Sequence, residues 1–480
     1  LLMRGWRRTC TGAGLAAMLS LAGAGPTWAQ DAAAVAAPIP HAPGKPYGAR
    51  NLPDRIVVTP GADAATELGL AWRTDAAQAT ADVELAPAID GPNIAAVAKA
   101  YRGTTRALST ENGPAHFHAM RWTGLTPDTA YLYRVKGAAG WSEWYQVRTA
   151  AREARPFSFL YFGDTQNGIL SHGSRVIRRA FLDNGRIALA LHAGDLVAQR
   201  DELVHDDEWG EWFAAGGYAF AMIPQVPAPG SHEYVDDVQP DGSEKRRLGP
   251  HWPLSFALPA NGAPGAEATS YVTDYQGVRF IILDGTSAID LGTSASQSAW
   301  LDRKLAEKGP KWRIVLFHQP IFTCARPNDT AALKAAWKPL FDKHRVDLVL
   351  QGHDHCYGRL SEERGAAIGR DKRAGGAAQG PVYVVSVTGK KMYGLNNRAM
   401  TQPDRVAEDT ELYQRIGVEA DRLVFRAFTP VGGLYDQFTL VRAADGRNRL
   451  LDGPADLPAL RRCSGGVGPD GVPCTAEPKD

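Results

Sequence analysis

The chain has 480 residues, long enough for two or three domains, each with its own buried core. Its 53 Lys and Arg residues against 52 Asp and Glu leave a net charge of +1, which gives no electrostatic case for a nucleic-acid platform or an anionic membrane surface. With 44% hydrophobic and 22% charged residues the composition is that of a folded globular protein and excludes a disordered chain.

At the N-terminus, Arg4, Arg7 and Arg8 precede the apolar stretch Leu15–Ala24, and small residues flank a cut after Ala29. A basic segment, a short apolar segment and small residues at the cleavage point are the pattern of a signal peptide, assigned here to residues 1–29. The residues after the Arg7-Arg8 pair fit general secretion better than twin-arginine export, so a periplasmic or secreted protein is expected. No later apolar run reaches the roughly 18 residues that a membrane span requires. Residues 30–50, rich in Ala and Pro, read as a linker.

Residues 51–150 carry short alternating segments divided by turn residues: Asp54–Thr59, Leu68–Trp72, Ala130–Val135 and Trp144–Thr149. This is the pattern of an all-β sandwich. Within it, Leu125-Thr-Pro-Asp-Thr-Ala-Tyr131 resembles the fibronectin type III corner. The resemblance implies that the Tyr131 hydroxyl folds back onto upstream backbone and that Trp72 lies in the core.

From Pro156 strand-like runs alternate with helical stretches. Phe157–Phe162, Ile187–Ala193, Val278–Asp284, Trp312–Phe317 and Val346–Leu350 read as strands, with helices around 174–182, 297–306 and 331–343. Three further strands follow, Val382–Val387, Arg422–Phe428 and Leu434–Val441. The fold class expected is therefore an all-β sandwich domain followed by an α/β domain over residues 151–442, with a polar Pro/Gly-rich tail over 443–480.

The ends of these strands carry the chemistry. In α/β sheets ligands gather at the carboxyl ends of strands. Here five successive strand ends run into Gly163-Asp164, Gly194-Asp195, Gly230-Ser231-His232-Glu233, His318 and Gly352-His353-Asp354-His355. One Gly-Asp after a strand is an ordinary turn, and one buried His is an ordinary core residue. Five in order, each delivering a carboxylate or an imidazole, point to a metal site for Zn²⁺, Mn²⁺ or iron rather than Ca²⁺ or Mg²⁺.

The order GDTQ, GDLV, GSHE, VLFH, GHDH resembles the calcineurin-like metallophosphoesterases, and with the sandwich in front it is most similar to the purple acid phosphatases and their bacterial relatives. Gln297-Ser-Ala-Trp300-Leu301 and Tyr357-Gly-Arg359 fit the same branch, and the resemblance covers roughly residues 50 to 442. It implies a two-sheet β-sandwich core flanked by helices and a pair of divalent or trivalent ions (Fe, Zn or Mn). Asp164, Asp195 and His355 are the expected ligands of the first ion. Asp195 is expected to bridge to a second, held also by His318, His353 and position 231. The implied reaction is attack of a metal-bridged hydroxide on phosphorus, acid phosphatase-like, with His232 as acid, oriented by Glu233, on a small phosphate-ester substrate. The same scaffold also serves phosphodiesterases and nucleotidases, and a catalytically weakened binding protein is the reading from a different class. Arg326, in the loop after His318, is a candidate phosphate contact. Nothing in the sequence addresses oligomeric state.

Three positions depart from the family pattern. Ala198 stands where purple members have a tyrosine, so no phenolate-to-iron colour is expected. Ser231 stands where an asparagine normally ligates the second ion. Gln166 lies where other branches carry a ligating histidine, and its amide oxygen is a further candidate ligand.

Cys10 leaves with the expected leader, and the remaining four cysteines allow three pairings. Cys463 and Cys474 flank a Gly/Pro-rich segment that cannot order itself by packing, which favours a bridge between them. Cys324 and Cys356 leave strand ends that converge on one site. If those strands are neighbours a second bridge is expected, with two buried thiols or a thiolate ligand as the open alternatives.

Overall fold

The computed structural model describes residues 43–239, 241–361, 381–400, 404–444, 446 and 448–475. The expected leader, Cys10 and most of the expected linker lie outside the described residues.

The N-terminal part is a sandwich of two antiparallel sheets. One orders strands Asp54–Pro60, Leu68–Asp75, Gly113–Trp122 and Thr104–Thr110; the other is built on Lys99–Arg102, Asp82–Pro87 and Ala130–Gly137, with Tyr145–Arg148 pairing the last of these. Alternation along each strand sends one set of side chains inward. Val58, Leu70 and Trp72 from the first sheet meet Val83, Tyr133 and Val147 from the second in one buried cluster. The Tyr131 hydroxyl accepts the Thr126 backbone N–H at 2.9 Å, which ties the corner as the sequence suggests.

The second part holds two seven-stranded sheets. The first runs Gln225–Pro227, Leu189–His192, Phe157–Phe162, Tyr413–Val418, Arg422–Phe428, Leu434–Arg442, Asn448–Asp452. The second runs Tyr271–Tyr275, Val278–Ile282, Trp312–Leu316, Leu348–Gln351, Val382–Val385, Tyr357–Ser361, Arg405–Ala407. Their inner faces pack together: Phe159, Ile416, Phe425 and Phe438 meet Phe280, Ile314, Leu350 and Val384. The alternate residues of the second sheet, Ile281, Val315, Val349 and Tyr383, pack outward on Trp300, Leu301, Trp337 and Phe341. Those four come from helices Ser294–Ala306 and Ala331–His344. Burial on both faces is why these strands read as unbroken apolar runs.

Parallel pairing fixes where the site falls. Phe157–Phe162, Leu189–His192 and Gln225–Pro227 are mutually parallel, as are Val278–Ile282, Trp312–Leu316, Leu348–Gln351 and Val382–Val385. Their carboxyl ends therefore lie at one edge of each sheet, and a bridge between Asp164 and Val387 ties the two edges together.

Two features differ from the sequence expectation. Residues beyond 443 are not all tail: Asn448–Asp452 pairs with Leu434–Arg442 as an edge strand, and Leu450 enters the core. Only that one short run, between polar turns, carries the signal. The helix Asp207–Gly216 was not apparent either, because Trp209, Trp212 and Phe213 crowd a sequence without clean helical periodicity.

Candidate metal centre

Each strand end presents its ligand through a backbone that could not easily be otherwise. Asp195, His353 and His355 all have left-handed φ, at 49°, 72° and 48°. Non-glycine residues in that region are uncommon and cluster at functional sites. Glycines admit the close approach of the loops. A Cβ on Gly230 would lie 2.2 Å from Asp195 Oδ1, and one on Gly352 would lie 2.5 Å from Asp164 Oδ2.

The expected ligands converge. His318 Nε2 lies 3.0 Å from Asp195 Oδ2 and 3.0 Å from His353 Nδ1. The Asp164 carboxylate is fully buried; its Oδ2 accepts the His353 backbone N–H at 2.7 Å, while Oδ1 has no hydrogen-bond partner. That orphaned oxygen lies 3.9 Å from His318 Nε2 and 4.0 Å from His355 Nε2. Asp195 sits at the middle of the cluster, accepting the His232 backbone N–H at 2.8 Å.

Outer partners set the imidazole tautomers. His318 Nδ1 bonds the Ala193 carbonyl at 2.8 Å, and His355 Nδ1 bonds the Lys391 carbonyl at 3.1 Å. A carbonyl only accepts, so each Nδ1 carries a proton; His355 Nε2 is left as an acceptor at the centre, and His318 Nε2 faces Asp195 Oδ2. Neither carbonyl was identifiable from sequence, because any residue supplies one.

The electrostatics show what the centre lacks. Burial pushes Asp164 up from the usual carboxylate range, with the Asp195 charge adding to the effect against His318. His318 is pushed up although burial opposes it, because Asp195 and Asp164 face it. Burial, reinforced by neighbouring cations, holds His353 and His355 neutral. Burial acts to raise Asp195 as well, but His318 and His232 hold it in its charged form. A buried Asp164 carboxyl that recruits a proton, beside a charged Asp195 and the neutral imidazoles of His353 and His355, is what a bound cation would satisfy, and its binding would release protons from the cluster. The residues present therefore fit a metal centre.

The other expected site residues fall as follows. Ser231 Oγ lies 3.4 Å from both carboxylate oxygens of Asp195, at the rim of the cluster. Gln166 is inside it, but its amide nitrogen faces Asp195 Oδ2 at 2.9 Å and His355 Nε2 at 3.1 Å, while its Oε1 is buried without a partner. Half a turn of the terminal amide exchanges the two atoms and presents the oxygen. The His232 ring reaches the site edge, Nε2 3.8 Å from Asp195 Oδ2, and its Nδ1 is bonded to the carbonyl of Ala198.

Glu233 corrects the expectation. Its carboxylate does not orient His232; it accepts backbone N–H groups from Gly230 at 2.6 Å, Leu196 at 2.8 Å and Asp195 at 2.9 Å. It braces the loop carrying Asp195. Arg326 likewise turns inward: its Nη1 donates to the His353 carbonyl and, at 3.0 Å, to Asp354 Oδ1. The Asp354 carboxylate also accepts the N–H groups of Cys324, Ala325 and Arg326, so it pins one ligand loop to the next. Cys324 and Cys356, which follow the paired strands Trp312–Leu316 and Leu348–Gln351, are bridged, as are Cys463 and Cys474.

Helix-flanked paired sheets with carboxylates and imidazoles at their carboxyl edge define the class as a metallophosphoesterase fold, and comparison with known proteins agrees. Residues 157–357 match the calcineurin-like phosphoesterase family and residues 53–149 the purple acid phosphatase N-terminal domain. The chain thus carries a calcineurin-like phosphoesterase domain behind a purple acid phosphatase N-terminal domain. An uncharacterized Mycobacterium tuberculosis protein is 29% identical over 347 residues, 65% of this chain and 63% of that one. Purple acid phosphatase 1 of Ipomoea batatas is 25% identical over 60% of this chain and 62% of its own length. Fe(3+)-Zn(2+) purple acid phosphatase 12 of Arabidopsis thaliana is 24% identical over 64% and 65%. The chain thus spans somewhat under two thirds of each of these relatives. Among solved structures, that of PhoD superposes with a TM-score of 0.57 at 13% identity, over 89% of this chain and 97% of that one, which supports the fold.

Proposed function

We propose that the protein is an exported metal-dependent phosphoesterase that hydrolyses phosphate monoesters at a two-ion centre. Asp164, Gln166 and His355 would hold one ion, His318, His353 and Ser231 the other, and Asp195 both. The observation that carries this reading is the placement of His318 Nε2 at 3.0 Å from both Asp195 Oδ2 and His353 Nδ1, with its own Nδ1 committed to the Ala193 carbonyl. When bound, the ions supply positive charge and Lewis acidity to a phosphoryl group. Asp195 and Asp164 compensate that charge, and Glu233 keeps the Asp195 loop in place. His232, held by Ala198 through Nδ1, has Nε2 as the atom able to hold a proton for the leaving oxygen. Its retention at the site edge favours catalysis over a binding-only role. Two disulfides support an oxidising compartment, and no helix among the described residues is long and apolar enough to cross a membrane.

The test is hydrolysis of p-nitrophenyl phosphate and of bis(p-nitrophenyl) phosphate by chelator-stripped protein reloaded with Zn²⁺, Mn²⁺ or Fe²⁺. Faster turnover of the monoester, restored by metal, is expected. Preference for the diester would move the reading to a phosphodiesterase, and no turnover of either would reject it.

A further inference from the structure

A cavity of about 1070 Å³ opens beside the metal centre, lined in part by Asn167, Lys390, Lys391 and Tyr393. The candidate ligands do not line it, but residues that do line it adjoin them. Asn167 follows Gln166 directly, Lys391 supplies the carbonyl that orients His355, and the Tyr393 ring stands edge-on to the His355 ring at 4.9 Å. Ligand pockets for compact organic molecules run about 300–1,000 Å³, so this one has room for far more than a phosphoryl group. Its far wall is built by the Cys463–Cys474 loop, which contributes Asp470 and Val472.

The charges in this cleft are unequal in their commitments. Glu411 is paired with Arg175 at 2.6 Å, and Asp470 with Arg461 at 2.7 Å. Asp409 accepts the backbone N–H of Thr475 at 3.2 Å. Among the described residues neither Lys390 nor Lys391 has an ion pair or a side-chain hydrogen bond; Lys391 Nζ lies 5.5 Å over the Tyr393 ring. Asn167, with φ at 66°, has its side-chain oxygen buried and unpartnered. What the cleft offers a ligand is therefore two free ammonium groups for an anionic group, and an aromatic face and an unsatisfied acceptor, Asn167 Oδ1, for the organic body that carries it.

We infer that this cleft binds the leaving-group side of the substrate and selects phosphoesters that carry a second phosphate, with Lys390 and Lys391 as its contacts. The inference rests on the proposed phosphoesterase reading and deepens it: the metal centre takes the phosphoryl group to be cleaved, and the cleft takes the anionic remainder.

ADP and AMP are suitable probes because they differ by one phosphate. When the terminal phosphate of ADP is cleaved, the departing half is still a phosphate ester, whereas that of AMP is a neutral nucleoside. The anhydride of ADP is intrinsically easier to cleave than the ester of AMP, so the cleft is read from the variant. In metal-loaded Lys390→Ala/Lys391→Ala the ratio of kcat/KM for ADP to that for p-nitrophenyl phosphate should fall by about tenfold or more, with the ratio for AMP changing less. An unchanged ratio would overturn the inference while leaving the phosphoesterase reading intact. Calorimetric binding of ADP to the same two proteins separates the failures. If neither hydrolyses any ester, weaker ADP binding by the double variant would support the cleft and reject the phosphoesterase reading, and equal binding would reject both.

Discussion

The Asp206 carboxylate receives two hydrogen bonds from the Arg55 guanidinium, at 2.6 and 2.8 Å, and so joins the first strand of the sandwich to the segment before helix Asp207–Gly216. Arg73 Nη1 at 3.0 Å and His251 Nε2 at 3.0 Å complete the cluster, and Arg73 carries the connection on to Asp54. All four of Arg55, Arg73, Asp206 and His251 are buried. The sandwich is thus fastened to the phosphoesterase domain by charge as well as by packing.

Because one partner of a buried ionic cluster leaves the others uncompensated, Asp206→Asn should destabilise the protein by about 3–5 kcal/mol. Burial acts to raise the Asp206 pKa, but Arg55, His251 and Arg73 together hold it well below the ordinary carboxylate range. A depressed folded pKa gives stability that is fully present above the unfolded value, near 3.9, and is lost as pH falls below it toward the folded value. Denaturant unfolding of both proteins from pH 7 to pH 3 should show the gap between them narrowing below about pH 4. A gap that stays constant would show that Asp206 does not carry this dependence.

Glu233→Gln puts an amide NH₂ where one carboxylate oxygen now accepts N–H groups. The loop of Asp195 should loosen, with metal affinity falling about 10- to 100-fold, the usual range for a lost outer partner of a ligand. Competition with a chromophoric chelator measures it. Unaltered affinity would show that Glu233 braces the fold without tuning the site.

Ser231→Asn replaces a short hydroxyl with an amide oxygen that reaches further into the cluster. Tighter binding of the second ion is expected, read as higher activity at limiting metal. A metal titration identical to that of the parent protein would remove position 231 from the ligand set.

Iron-loaded protein should lack the broad visible band of an iron–phenolate centre. Position 198 has no phenol to offer, and the Tyr357 hydroxyl, the next candidate by sequence, donates instead to Asp436 at 2.7 Å. A purple colour on iron loading would contradict this and require another phenolate.

Much of the fold and most of the candidate ligands were legible because both depend on short-range rules. An apolar strand followed by a glycine and a carboxylate or imidazole is visible in Gly163-Asp164 or Gly352-His353 without knowledge of tertiary structure. Glu233 misled because adjacency to His232 in sequence is not adjacency of side chains: the two point to opposite partners, backbone amides and the Ala198 carbonyl. Arg326 misled for a similar reason, its buried acceptor lying on a different strand end. The cleft was invisible because Asn167, Lys390 and the 463–474 loop come together only through the sheet order.

The central claim is that Asp195 is the shared ligand of a catalytic ion pair, and the most direct measurement is a metal titration of stripped protein followed by bound metal and p-nitrophenyl phosphate hydrolysis together. The account predicts no activity without metal, activity that saturates at two ions per chain, and Asp195→Asn protein that neither retains the ions nor hydrolyses the ester. Full hydrolysis by the stripped protein, or an Asp195→Asn variant with full metal content and activity, would contradict it.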